Sequence, residues 1–329
     1  MKRIAIELYG LTRSYKETFD SFFFNLLQPL YNSGYIVDIF IHTWSESDSN
    51  DITWHNPTGE NRGQNMDEIQ YNDIIEKYRP KKIIVDYPLD IPKELVLYEK
   101  LANKSRSYNS FISCFYSRFI SNELRIAYEK ENNIVYDKVI LTRFDISFDK
   151  PFILDHYIKT YCEHTKMNIP ANTVLTACSP WRMCSVADSA NIECCTDLIV
   201  ISNSFVMNQI TRLYEDINKK YITKKFINEN NYNIEVLWRK YWQLKGLEHI
   251  KIKYIESEDF HIVRCKSQDH PQNENLSNTQ KYRRKLKNNI KDIWLYFRPF
   301  FVWLSQIFSI FYYLFKIFFK ICMRIKACI

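Results

Sequence analysis

Four strand-like runs alternating with helix-like ones across the first 142 residues constrain this chain most. "KRIAIELY" (2–9), "YIVDIFIHTW" (35–44), "KKIIVDY" (81–87) and residues 136–142 are short and rich in β-branched and apolar residues. Between the first two, Phe19, Phe22, Phe23, Leu26, Leu27 and Leu30 recur at helical spacing over residues 15–32, before a stop at Gly34. Residues 66–78 suit a second helix. Residues 107–131 suit a long third one, with Phe111, Phe115, Phe119 and Leu124 on one side. The order β-α-β-α-β-α-β predicts an α/β fold: a Rossmann-like, mostly parallel sheet with right-handed crossovers and helices on both faces. Such sheets bind ligands beyond the carboxyl ends of their strands. The segments there are "GLTR" (10–13), "HTWSE" (42–46), "YPLD" (87–90) and "RFD" (143–145).

The second half continues the same domain. "TVLTAC" (173–178), "DLIVIS" (197–202), "IKIKYIE" (250–256) and "FHIVRC" (260–265) read as strands, and 203–220 and 234–245 as helices. We therefore place one catalytic-type domain over 1–265. A polar, then basic, linker follows over 266–292, and a tail over 293–329.

Charge separates the tail from the rest. Residues 281–329 hold eleven Lys or Arg against the single acid Asp292, so they carry +10 of a chain total of +7, and the first 280 residues are left at −3. A mildly acidic main body argues against a nucleic-acid partner. From Pro299 to Phe315 there is no charge, but a bilayer span needs about 20 residues. Ser305, Ser309, Tyr312, Lys316 and Lys320 follow one helix face. Trp303, Phe311 and other large apolar residues fill the opposite face, and Arg298 opens the run. That pattern predicts an amphipathic helix lying in an anionic membrane surface, with Arg298, Trp303, Phe311, Lys316 and Lys320 as its contacts. A spanning helix and a helix packed on a partner protein are the alternatives. Basic flanks favour the cytoplasmic face, which makes the expected location peripheral or monotopic there.

Other classes are disfavoured. Five glycines and no GxGxxG or GxxxxGK run argue against a glycine-rich phosphate loop. Nine cysteines, without a CxxC, argue against a zinc ribbon or a disulfide framework and lead us to expect free thiols in a reducing compartment. The N-terminus reads as a strand, not a signal peptide.

"VILTRFDISF" (139–148) carries the chemistry. An apolar strand ends in Arg143 and Asp145, and burying two charges costs several kcal/mol unless they are paired or used. Either they form a strand-end ion pair, or they belong to a ligand site. A strand-end carboxylate can hold a divalent cation, which in turn can hold a diphosphate. Sugar transfer from a nucleotide-sugar requires such stabilisation of its leaving oxygen.

The opening "IAIELYGLTRSYKETFDSFFFNLLQPLYNSGYIVDIFIHTW" and the later "YDKVILTRFDISF" resemble glycosyltransferases from bacterial surface-polysaccharide clusters and large viruses. In those, an R-x-D motif stands where related transferases carry D-x-D. "DLIVISNSFVMNQI" and "IEVLWRKYWQLKGL" resemble their acceptor-side elements more weakly. The likeness spans about residues 2–264. It implies a glycosyltransferase A-like fold, a nucleotide-sugar donor, and a glycan or lipid-linked acceptor. Carried over by residue, Arg13, Arg143, Asp145 and Arg264 would meet the donor or its diphosphate. His42 and Trp44 would edge the pocket. Asp145 with His261 would hold a divalent cation, Mn2+ or Mg2+. Asp145 would be catalytic, and Asp197 or Glu235 would take the acceptor's proton. Position 143 is Arg, which leaves metal dependence open; the guanidinium could itself meet the phosphates. Inverting and retaining transfer both stay open. A non-catalytic membrane scaffold on a degenerate transferase fold, and a phosphotransferase, are the competing readings.

Overall fold

Ile4, Ile6 and Leu8 turn to one side of the first strand, and Ala5, Glu7 and Tyr9 to the other; all six are buried. A strand covered on both faces is what a sheet between two helical layers requires. A computed structural model of the protein describes residues 2–48, 65–89, 108–178, 196–218 and 234–263. All of them fall within one compact unit, Met1–Lys266. Arg264 and the tail residues Arg298, Trp303, Phe311, Lys316 and Lys320 lie outside the described residues, as does the expected amphipathic helix.

Strands β1 (Arg3–Tyr9), β2 (Ile36–Trp44), β3 (Lys82–Asp86), β4 (Lys138–Arg143), β6 (Thr173–Cys178), β7 (Ile199–Ser202) and β8 (Glu248–Ile255) form one sheet in the order β3-β2-β1-β4-β7-β6-β8. The first four are mutually parallel, as expected. β7 runs antiparallel to both β4 and β6, while β6 and β8 are parallel. Strands β5 (Ile146–Phe148) and β9 (Phe260–Ile262) pair as a separate two-stranded ribbon. The architecture is thus α/β, with a mostly parallel sheet of mixed sense.

Helix α1 (Tyr15–Phe22) continues through a π-helical turn, Phe23–Leu27, into α2 (Gln28–Asn32). The sequence predicted one uninterrupted helix here. Pro29 explains the difference, because it has no N–H to give the Asn25 carbonyl. That carbonyl instead accepts from Phe152 N at 2.7 Å. The Asn25 amide donates to Phe148 O at 2.6 Å, so β5 and its exit are fastened to the first helix.

Helices α3 (Glu68–Tyr78) and α5 (Leu154–Thr165) share one hydrophobic core with α1, α2 and the Ile4/Ile6/Leu8 side of the sheet. The long helix α4 (Tyr108–Asn132), with α6 (Ser204–Thr211), α7 (Leu213–Asn218) and α8 (Ile234–Leu244), covers the Ala5/Tyr9 side. Trp238 and Trp242 are fully buried in that second core. Side chains of this kind each contribute about 1.5–3 kcal/mol by leaving water.

Four local expectations need correction. Where one helix is expected over 203–220, the described residues form two short ones, Ser204–Thr211 and Leu213–Asn218. β5 and α5 were not anticipated, and a three-residue strand is too short to show a period. On α4, Phe111, Phe115 and Leu124 are buried as expected, but the fourth residue of that set is less so. Phe119 is only half-buried, whereas Ser117, Arg118, Ser121, Asn122 and Arg125 are buried. Cys178 is disulfide-bonded, so it departs from the expected free thiols. Cys114 and Cys162 are free.

Candidate active site

β1 has β2 on one side and β4 on the other. The chain reaches β4 only after crossing back from β3, so the strand order reverses between β1 and β4. A crevice beyond the carboxyl ends of such a pair is the usual ligand position in α/β sheets. Register brings Arg143, Tyr9 and His42 into one row at this edge. The turn after β1 then swings Arg13 over the end of β4.

Arg13 takes a left-handed backbone (φ 38°), unusual for a side chain other than glycine and costing on the order of 1 kcal/mol. Several bonds hold it there. Its amide donates to Ser47 O at 2.8 Å. Its Nε donates to Asp48 Oδ1 at 2.9 Å and its Nη1 to Asp145 Oδ2 at 2.9 Å. Arg143 approaches the same carboxylate as a fork, with Nε on Oδ1 at 2.9 Å and Nη2 on Oδ2 at 2.5 Å. Asp145 is 1% exposed, while the side chains of Arg13 and Arg143 keep 16% and 17%. Burial disfavours the charge on Arg143, but Asp145, Asp197 and Tyr9 outweigh it and hold its pKa above the ordinary arginine value. The backbone nearby is equally tied. Asp145 O accepts from Val263 N, Val263 O accepts from Ser14 Oγ, and Phe144 O accepts from Thr18 Oγ1.

A second cluster borders the first. The Tyr9 hydroxyl donates to Asp197 O at 2.6 Å. Arg118 Nη2 donates to both Tyr9 Oη (3.0 Å) and Asp197 Oδ2 (2.8 Å). The Arg118 guanidinium lies 4.0 Å from the centre of the Trp238 ring, with Tyr9 and Phe115 rings beside it. A buried cation caged by aromatic faces and one carboxylate is a rigid prop. Its outcome is a fixed Asp197, whose side chain keeps 15% exposure. Thr142 Oγ1, bonded to Leu198 O, anchors the same segment to β4. Glu235 sits half-buried in the first turn of α8, one turn before Trp238.

His42 and Trp44, expected at the pocket edge, are buried. Ser117 Oγ lies 2.7 Å from His42 Nδ1 and accepts from Gly10 N at 2.8 Å. His42 Nε2 lies 3.2 Å from Asp86 Oδ2, which also accepts from Tyr116 Oη at 2.7 Å. An ionised Asp86 only accepts, so the ring proton sits on Nε2 and Nδ1 takes the Ser117 hydroxyl. Burial pushes the His42 pKa down to about 4, against the pull of Asp86. The order Ser-His-Asp invites a nucleophile reading, but Ser117 is fully buried and committed to Gly10. The chain is a brace that holds the start of the Gly10–Arg13 turn.

The divalent-cation expectation fares less well against this geometry. Both oxygens of Asp145 are engaged by guanidinium groups. His261 lies on β9 at the half-exposed surface (49%), with Nδ1 2.7 Å from Asp149 Oδ2. Among the described residues no group of three or more His, Cys, Asp or Glu is arranged to hold a metal ion. As they stand, Asp145 and His261 do not fit a shared cation site.

Sequence reading thus found Arg13, Arg143, Asp145 and Asp197, which the fold brings together, and missed Tyr9, Asp48, Asp86, Ser117 and Arg118. One signal was present. Ser117, Arg118, Ser121, Asn122, Arg125 and Glu129 recur at helical intervals on the side of α4 that carries Phe115. No protein-family model matches the chain, and no curated protein matches it.

Proposed function

We propose that this protein is a glycosyltransferase of the glycosyltransferase A type. It moves a sugar from a nucleotide-diphosphate sugar to a lipid-linked or surface-polysaccharide acceptor at the cytoplasmic face of a membrane. The observation that carries the reading is the Arg13–Asp145–Arg143 cluster at the strand-order reversal of a mostly parallel sheet. Two partly open guanidiniums at that edge suit a leaving diphosphate, on which charge grows as the glycosidic bond breaks. Asp197, held by Arg118, is the carboxylate poised to take the acceptor hydroxyl's proton, with Glu235 the second candidate. The basic tail would keep the enzyme where membrane-bound acceptors lie.

The test is a thermal-shift screen of nucleotide-sugars and nucleoside diphosphates, followed by product analysis with the ligand that binds. A ligand at 100 times its dissociation constant adds about 2.7 kcal/mol to stability. Asp145→Asn should lower transfer or donor hydrolysis by about 100-fold or more, because the two arginines lose their common orienting group. Cooperative unfolding and the circular dichroism spectrum should persist. Full activity in that variant would remove Asp145 from the mechanism.

A further inference from the structure

Asp145 is saturated by cations that belong to the chain itself. Arg143 spends two of its five N–H groups on it, and Arg13 spends one, with another on Asp48. Among the described residues, three N–H groups on each arginine are left without a hydrogen-bond partner. Both side chains keep some exposure, whereas the carboxylate between them keeps almost none. A divalent cation would need carboxylate oxygens at about 2.0–2.6 Å. Here those oxygens already accept three guanidinium N–H groups, and a dication would sit against two fixed positive charges. The histidine expected to complete such a site is instead paired with Asp149.

We infer that the donor's diphosphate is neutralised by Arg13 and Arg143 directly, and that no divalent cation bridges it to Asp145. Asp145 is then a positioning residue: it aims two forks whose outer N–H groups meet phosphate oxygens. This rests on the reading of the site as a nucleotide-sugar site, and deepens it by naming what binds the leaving group.

The experiment measures binding of inorganic pyrophosphate and of a panel of nucleoside diphosphates to the full chain by calorimetry, in EDTA and then with Mn2+ or Mg2+. On the arginine reading, Kd in EDTA stays within about threefold of its value with metal, while Arg143→Lys weakens binding in EDTA by about tenfold or more. Asp145→Asn should still bind the diphosphate in EDTA. Binding that appears only with metal, or that Asp145→Asn abolishes while Arg143→Lys does not, overturns the inference but leaves the transferase reading standing. The EDTA comparison on the unaltered chain decides the matter even if a variant fails to fold. If no diphosphate binds under either condition, the transferase reading falls, and the inference with it.

Discussion

Replacing Glu7 by Gln should change how stability depends on pH, in a direction set by one buried carboxyl group. Glu7 lies mid-strand on β1 with no exposure, and Arg125 Nε donates to its Oε1 at 2.7 Å. Its second oxygen has no hydrogen-bond partner among the described residues. Arg125 divides its charge, since it also bonds Glu129, Asn122, Ser204 and Asn208. Burial therefore prevails over the Arg125 attraction and pushes Glu7 from 4.5 up to about 7. A carboxyl raised in the folded state holds its proton more tightly there than in the unfolded chain. Its contribution is fully present below pH 4.5 and is lost as pH rises through 7. At about 1.4 kcal/mol per pKa unit, the loss is about 3 kcal/mol.

His42 acts in the opposite sense. Its folded pKa is depressed from 6.5 to about 4, so its contribution is present above pH 6.5 and is lost as pH falls through 4. The two slopes oppose each other over most of the interval, and the unaltered protein conceals both. Gln at position 7 removes one of them. Urea unfolding at several pH values between 4.5 and 7.5 should show stability of Glu7→Gln, relative to the unaltered protein, climbing with pH by about 3 kcal/mol. Titrations common to both proteins cancel in that difference. A difference flat to within about 0.5 kcal/mol would mean that Glu7 folds as a fully compensated anion, and the burial argument would be wrong.

Three further outcomes follow from the same network and from the tail. Arg125→Met should cost about 3–5 kcal/mol in urea unfolding, since all five N–H groups of the arginine are engaged and Glu7 and Glu129 both lose their guanidinium partner; a loss under about 1 kcal/mol would show the network to be dispensable. Arg118→Met should cost about 2–4 kcal/mol and lower transfer while leaving pyrophosphate binding intact, because it releases Asp197 but not Arg13 or Arg143; equal loss of both would assign Arg118 to the fold alone. Deleting residues 281–329 should abolish flotation with anionic liposomes, and unchanged flotation would refute the amphipathic-tail reading.

Local patterns carried most of what the sequence disclosed. Runs such as Val139–Leu141 and the spacing of Phe22, Leu26 and Leu30 depend on neighbours within one turn or one strand, and β1 to β4 with their helices match them closely. The place of Arg143 and Asp145 at a strand end was legible for the same reason. The interruption by Pro29 was written in the sequence too, but its consequence was not. The freed carbonyl of Asn25 found its donor at Phe152, more than a hundred residues away.

What the sequence by itself determined is an alternation of strands and helices that forces a sheet with two covered faces, and an arginine and an aspartate delivered to its carboxyl edge. Tertiary structure alone decided the company those residues keep. Arg13 reaches Asp145 across 132 positions, Arg118 reaches Asp197 across 79, and His261 goes to Asp149. The insertion of β7 between β4 and β6 is likewise a choice of partner. The physical reason is one of range: backbone period and side-chain spacing are local, whereas the partner of a buried charge is set by which distant segments the packed core brings within 3 Å.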